Sequence, residues 1–282
     1  MSRYLELTKP RITLFILMST GVGFLFGTHL GKPWTWMELF HTLLGTMLIA
    51  GGTAALNQWY EREGDGLMNR TKARPIPSGR ITADRALVFG TGLSAVGFAE
   101  LWHGVNLLTA LLALFTLASY LFVYTPLKRR SPISTTIGAI PGAMPPLIGY
   151  AAASGHLNYE AGILYAILFL WQFPHFYAIA WMYREDYARA GIRMLPVVEP
   201  TVDSTARRIV WFSMALVPMS LAPKFFDMAG NLYLFGASVL GTIVLYAGLQ
   251  ANSNQTRVQA RRVLLASVLY LPLLYGLMAL DS

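Results

Sequence analysis

LFHTLLGTMLIAGGTAALNQWYEREGDGLMNRTKARPIPS, running from Leu39 to Ser78, decides how this chain is read. From Leu39 to Tyr60 there is no Asp, Glu, Lys or Arg, and an apolar run of about 20 residues is what a helical bilayer crossing needs. The chain then turns abruptly to carboxylates and bases. Asn57, Glu61 and Asp65 stand four apart, so on a helix they climb one face, offset by roughly 40° and separated by about 6 Å. Three oxygen donors in that ladder, with Arg70, Lys72 and Arg74 just downstream, suit a Mg²⁺-bridged polyphosphate. Mg²⁺ takes carboxylate and amide oxygens, keeps several waters and is commonly completed by phosphate oxygens of the substrate; the bases neutralise what the metal leaves. The same spacing also fits a helix end flaring into a solvated basic loop, and spacing by itself leaves both readings open.

The rest of the chain repeats the opening theme. Of 282 residues, 55% are hydrophobic and only 13% charged, against roughly 25% charged in a soluble chain, and the mean hydropathy is positive. Further charge-free runs cover Ile12–Gly31, Leu101–Leu127, Ser131–Tyr159, Ala161–Tyr183, Met228–Thr256 and Val263–Leu280. No helix shows the polar stripe of a soluble α-solenoid. The expectation is an all-α polytopic membrane protein, a single domain over 1–282. Its crossings are expected at about 10–30, 36–58, 85–103, 105–125, 133–152, 160–182, 207–224, 230–250 and 261–279, with Pro218 kinking the seventh. Nine crossings place 20 of the 22 Lys and Arg on one face, with only Lys32 and Lys224 opposite. Because positive residues mark the cytoplasmic side, the N-terminus is expected inside and the C-terminus outside, in a bacterial inner membrane. The first segment is too long for a signal-peptide core, so it is expected to be a crossing. The net charge of +8 therefore sets topology and gives no reason to expect nucleic acid. There is no cysteine, hence no disulfide and no thiolate metal site.

The long connections, about 59–84 and 183–206, both fall on the cytoplasmic side, so the chemistry is expected there, in a cavity that these loops cap. The second loop opens with Tyr183, Arg184, Glu185, Asp186 and Tyr187. Neighbours on a helix point about 100° apart, so one of Glu185 and Asp186 can face a cavity while the other faces water; Asp186 is the candidate for a second Mg²⁺ ligand, against a plain interfacial pairing with Arg184 and Arg189. Tyr183 and Tyr187 share a face and can present ring faces to a cation or anchor the helix at the interface. Lys128, with Arg129 and Arg130, is either a phosphate contact or a topology signal. His175 sits at membrane depth beside Pro174, where a polar ring is costly and faces a bundle interior; it either touches a substrate or binds iron, or is a hydrogen-bonded core histidine. His29, His41, His103 and His156 receive no role. No glycine-rich phosphate loop, HExxH, CxxC or Gly-x-Ser-x-Gly occurs, which argues against ATP-driven transport and hydrolase chemistry.

Asn57-x-x-x-Glu61-x-x-x-Asp65 followed by Arg70-Thr71-Lys72-Ala73-Arg74-Pro75 resembles the first acidic motif of the UbiA-type intramembrane prenyltransferases, with Glu61 where that motif usually has Asp. NQWYEREGDGLMNRTKARPIPSGRI, YTPLKRRSPISTTIGAIPGAMPPLIGY and WQFPHFYAIAWMYREDYARAGIRMLPVV are similar to the branch that farnesylates protohaem IX, and the likeness runs from Leu7 through Pro196. The second family motif has two Asp four apart; in register with Gly191 and Leu195-Pro196, Tyr183 and Tyr187 occupy those positions. The resemblance implies a bundle whose cytoplasmic cavity takes farnesyl diphosphate on Mg²⁺ held by Asn57, Glu61, Asp65 and Asp186, with Lys72, Arg74 and Arg184 as clamps. It implies transfer to a vinyl group of haem B, which is substrate rather than cofactor, to make haem O for terminal oxidases. Haem A synthase or oxidase-assembly proteins would then be partners. Two alternatives stand beside it: a relative that prenylates another lipophilic aromatic acceptor, and a haem-handling membrane transporter.

Overall fold

The computed structural model describes residues 3–28 and 33–282; His29 and Lys32 lie outside the described residues. Among these the chain is helical, with no strand. In order come α1 (Arg3–Leu7), α2 (Pro10–Thr28), α3 (Trp36–Leu67), α4 (Ala83–Gly104) and α5 (Leu107–Ala118). A π-helical stretch, Ser119–Tyr124, then leads into α6 (Thr125–Leu127), α7 (Ser134–Gly142), α8 (Pro145–Ser154) and α9 (Tyr159–Met182). Two short helices follow, α10 (Arg184–Arg189) and α11 (Leu195–Val198), then α12 (Asp203–Phe225), α13 (Asn231–Ser253) and α14 (Arg257–Leu280).

Local chemistry sets the helix starts. Thr35 and Glu38 close a reciprocal capping box at α3, and Thr82, Asn106, Asn158 and Thr256 each accept a first-turn N–H at α4, α5, α9 and α14. Such caps satisfy orphan donors that a bilayer has no water to satisfy. Among the described residues, six units are long and apolar enough to cross a membrane: α2, α3, the continuous Leu107–Leu127 unit, α9, α13 and α14. The other expected crossings coincide with α4, α7–α8 and α12, which fall outside those six. The 133–152 segment is two helices, broken at Ala143–Met144 where Pro141, Pro145 and Pro146 remove backbone donors. At Pro218, by contrast, α12 continues unbroken.

Two packed groups flank α2. Ile49, Leu56, Leu101, Ala113, Leu121 and Ile148 join α3, α4, α5, the π stretch and α8 in one core. Leu164, Ile167, Leu216, Tyr233, Val244, Tyr270 and Leu274 join α9, α12, α13 and α14 in a second, to which α2 adds Val22 and Phe26. Where hydrocarbon replaces water, helices associate by close packing rather than by hydrophobic drive. Accordingly, a Cβ on Gly23 would lie 2.0 Å from the Pro146 carbonyl oxygen, and one on Gly149 would lie 1.8 Å from that of Thr20. Thus α2 and α8 meet backbone to backbone. Large apolar side chains point outward elsewhere, among them Phe122, Trp211 and Phe235.

The helix that carries the acidic ladder is longer than its apolar part suggests. α3 continues to Leu67, so the first long connection begins at Met68 rather than near residue 59. At about 1.5 Å per residue α3 is roughly 48 Å long, more than the roughly 30 Å of a bilayer's hydrocarbon core. The second connection holds α10 and α11 and ends where α12 begins at Asp203.

Candidate active site

Asn57, Glu61 and Asp65 all lie on this continuous helix. Asn57 and Asp65 are each only 1% exposed, so the polar face of α3 turns inward. Each ladder residue meets a different base. Lys9 Nζ donates to Asn57 Oδ1 at 3.4 Å, Lys128 Nζ to Glu61 Oε1 at 2.8 Å, and Arg74 Nη1 to both Asp65 oxygens at 2.8 and 2.7 Å. Asn57 also donates through Nδ2 to Thr125 Oγ1 at 3.3 Å. Glu61, Gly64, Asp65, Thr125, Lys128 and Arg129 line one cleft. Gly64 leaves room in it: a Cβ there would sit 3.1 Å from Arg129 Nη2.

Positive charge exceeds negative in this cleft. Lys9, which begins the chain's entry to α2, is driven down to about 7 by burial first and by Arg74 second, with Glu61 only partly offsetting them. Burial works to deprotonate Lys128 as well, but Glu61 and the nearby Tyr124 and Tyr120 outweigh it and hold the ammonium well above its ordinary value. The π stretch delivers those rings: Lys128 Nζ lies 4.4 Å from the Tyr124 centroid and 5.7 Å from that of Tyr120. Single π turns inside α-helices often mark functional sites, because the i→i+5 register re-aims the side chains beyond them.

The two long connections close on each other. Asp186 accepts the backbone N–H of Asn69 at 3.2 Å and of Arg70 at 3.3 Å and pairs with Arg189. Burial raises its carboxyl, but these donors outweigh that and hold it below the ordinary 3.8. Glu185 is exposed and Asp186 buried, the division expected for neighbours on a helix. Met68, Ala180, Ala190, Ile192 and Met194 form a small apolar core beneath the junction, and Arg193 N–H donates to the Lys128 carbonyl at 2.8 Å. Gly191, at φ +66°, ends α10 in the left-handed conformation, which costs a residue without Cβ least.

Several expected site residues sit differently. Both Asp186 oxygens are already engaged, and among the described residues no group of three acidic or imidazole side chains converges on a metal-sized point; the ladder's third oxygen donor is the amide of Asn57. In this structure the Asp186 carboxylate pins the loop after α3, just as the Asp65 carboxylate, also engaged through both oxygens, holds Arg74. Tyr183 and Tyr187 offer their rings to Arg70, at 5.3 and 5.8 Å, rather than to an open cavity. Of the three downstream bases Arg74 reaches the ladder, through Asp65, whereas Lys72 is exposed and donates to Asn69 Oδ1 at 3.1 Å. Arg184 makes no ion pair with the described residues. His175 meets α14 through Ser267 at 3.0 Å. Lys9, Tyr120, Tyr124 and Thr125 were not among the expected site residues, and Arg129 lines the cleft beside Lys128. Lys9 stands in the Leu7–Arg11 segment and the others in or beside YTPLKRR, both of which carry the resemblance.

A helical membrane bundle with an oxygen ladder at one helix end, each rung met by its own base, is the class of fold and site that this chain presents. The chain belongs to the UbiA prenyltransferase family, whose model matches residues 16–271. It is 62% identical over 288 residues to a protein of Solibacter usitatus (strain Ellin6076) named protoheme IX farnesyltransferase, covering 100% of this chain and 99% of that one. Its fold matches a digeranylgeranylglyceryl phosphate synthase at a TM-score of 0.81 and 17% identity, covering 99% and 97% of the two chains. It also matches a UbiA homologue from Archaeoglobus fulgidus bound to GPP and Mg²⁺, at 0.68 and 18%, covering 99% and 100%.

Proposed function

We propose that this membrane protein transfers a farnesyl group from farnesyl diphosphate to a vinyl group of haem B, forming haem O and releasing diphosphate. The observation that carries the reading is the base-matched ladder: Asn57, Glu61 and Asp65 on one buried helix face, each held by its own cation. The 62% identical relative named for protoheme supports haem as the acceptor over another aromatic ring or a transport role.

The donor set fits Mg²⁺. Asn57, Glu61 and Asp65 supply hard oxygens on one face, and Mg²⁺ needs few protein ligands when substrate phosphates complete its shell. When bound, the ion withdraws charge from the departing diphosphate. Arg74 and Lys128 exchange carboxylate oxygens for phosphate oxygens, and Lys9 and Arg129 add positive charge at the cleft's edge. Preorganised charge of this kind stabilises the leaving group as the C1–O bond of the farnesyl chain breaks. Tyr120 and Tyr124 keep Lys128 directed at that end. The vinyl carbon attacks C1 of the allylic cation, water adds to the benzylic-type cation left on the haem side chain, and one proton is lost, giving a hydroxyethylfarnesyl group. The apolar helices around the farnesyl chain keep other water from the cation.

In this reading Arg70, Tyr183, Tyr187 and Asp186 hold the two connections together as a cap over the cleft, and 1–282 acts as one unit. The proposed topology has nine crossings with the basic face cytoplasmic, the N-terminus inside and the C-terminus periplasmic, in a bacterial inner membrane, where haem A synthase or oxidase-assembly proteins would receive the product. The test is direct. Membranes containing the chain are incubated with haem B, farnesyl diphosphate and Mg²⁺, and the extracted haem is weighed by mass spectrometry. Absence of a haem heavier by one farnesyl and one hydroxyl group refutes the proposal.

A further inference from the structure

Away from the acidic ladder, one buried side chain is oriented with more care than packing requires. His175 Nδ1 lies 3.0 Å from Ser267 Oγ on α14. The Ser267 hydroxyl carries one proton, and it is given to the Leu264 carbonyl at 2.8 Å. Ser267 Oγ therefore accepts from His175, which fixes the ring as the Nδ1–H tautomer and leaves the lone pair on Nε2. Trp171 locks the pose from two sides: its ring stacks on His175 at 4.7 Å and 20°, and its Nε1–H donates to the Ser267 carbonyl at 2.8 Å.

Nε2 has no hydrogen bond to the described residues, and it is not among the buried polar atoms sealed without a partner. It opens onto the partly exposed stripe of α9 that holds His175, Phe176, Ile179 and Met182. That stripe lies between the side of α9 that meets α14 and the side where Gln172 donates to Ala139 of α7 at 3.0 Å. A histidine placed only to fill space at membrane depth satisfies both nitrogens, because an unpaired one is costly there. An imidazole with one nitrogen fixed by a hydrogen bond and the other bare is the arrangement that metal-ligating histidines take.

We infer that His175 Nε2 is an axial ligand to the iron of the haem substrate, seating the macrocycle on the α9 stripe between α7 and α14, with Ser267 and Trp171 setting the ring's pose. This rests on the proposed function for the identity of the acceptor, but it makes a separate claim about iron. The acceptor would be held by its metal, not only by its apolar rim. A metal-free porphyrin would then lose the contact.

The test uses the full chain in lipid nanodiscs, with no farnesyl diphosphate, titrated with ferric haem B or with metal-free protoporphyrin IX. Wild type is expected to show the Soret band and electron paramagnetic resonance of imidazole-ligated ferric haem. His175→Ala loses that signature and regains it with added imidazole, while its affinity for metal-free protoporphyrin stays at the wild-type value. Ser267→Ala keeps the ligation but weakens haem by about 10- to 100-fold, the usual effect of removing an outer hydrogen bond to a metal-bound histidine. A wild-type signature in His175→Ala overturns the inference, as does no such signature in wild type, or a Ser267→Ala affinity equal to wild type should His175→Ala not fold. Haem O formation with an unchanged His175→Ala spectrum defeats this inference alone; haem bound through His175 with no farnesylated product defeats the proposed function instead.

Discussion

Breaking the Glu61–Lys128 pair gives an asymmetric prediction. The two side chains are 18% and 10% exposed and their charged atoms are 2.8 Å apart. At an effective dielectric near 20 that separation corresponds to a gross attraction of about 6 kcal/mol, and removing one member of such a buried pair costs about 3–5 kcal/mol. The two single variants should fall at opposite ends of that range. Lys128→Met leaves Glu61 still within reach of Lys9 and Arg74, both of which act on its carboxylate, so the loss is about 3 kcal/mol. Glu61→Gln leaves Lys128, Lys9 and Arg74 together with only Asp65 to balance them, so the loss is about 5 kcal/mol. The double variant removes both charges and returns to within about 1 kcal/mol of wild type, since buried pairs replaced by neutral side chains are often near neutral. Reversible denaturation in mixed micelles, read by tryptophan fluorescence, gives all four values. Inorganic diphosphate should stabilise Glu61→Gln more than Lys128→Met, because it meets the excess of cations. A Lys128→Met loss larger than that of Glu61→Gln would show that positive charge is not in excess here, and losses that simply add in the double variant would show that the two charges are not coupled.

Other substitutions separate the roles of neighbouring residues. Asp65→Ala is expected to lower turnover by at least about 10²–10³, the scale of losing one element of leaving-group stabilisation, while the protein still elutes as a folded species; near-normal turnover removes Asp65 from the site. Lys72→Ala, by contrast, changes the rate by less than about twofold, because exposed surface positions away from special features contribute little, and a large loss would put Lys72 back in the cleft. Asp186→Asn should speed hydrogen exchange across residues 68–74 at neutral pH without removing the metal dependence of turnover. In wild type the same opening appears on acidification: a carboxyl held below 3.8 in the folded chain anchors fully above that value and lets go as pH falls through its lower folded-state value. Gly149→Ala places a methyl 1.8 Å from the Thr20 oxygen, an overpacking that costs about 1–3 kcal/mol or more; unchanged stability would mean that α2 and α8 are not in close contact.

Much of the fold was legible because the bilayer constrains it so tightly. Charge-free runs, caps and the one-sided placement of bases locate most helices to within a few residues. The misreadings came from residues whose backbone chemistry competes with that pattern. Pro141, Pro145 and Pro146 break what hydropathy alone reads as one crossing at 133–152. In α3 the helix outruns the apolar stretch that sets the crossing: Glu61, Arg62 and Glu63 are good helix formers, and α3 carries them out to Leu67.

The site was legible where function and helical period coincide, and obscured where the chain folds back on itself. Asn57, Glu61 and Asp65 share a face because of their spacing, so the sequence displays the ladder directly. Lys9 is 48 residues from Asn57 and Lys128 is 67 from Glu61, and no local pattern says which base will meet which oxygen. Among Arg70, Lys72 and Arg74 only the turns that follow Met68 decide which points inward. Asp186 accepts two backbone N–H groups from the first connection and pairs with Arg189, contacts that hold the two connections together and that no local pattern announces. The residues most exposed to misassignment from sequence are thus those that position the ladder rather than form it. Their variants should change loop protection before they change metal dependence.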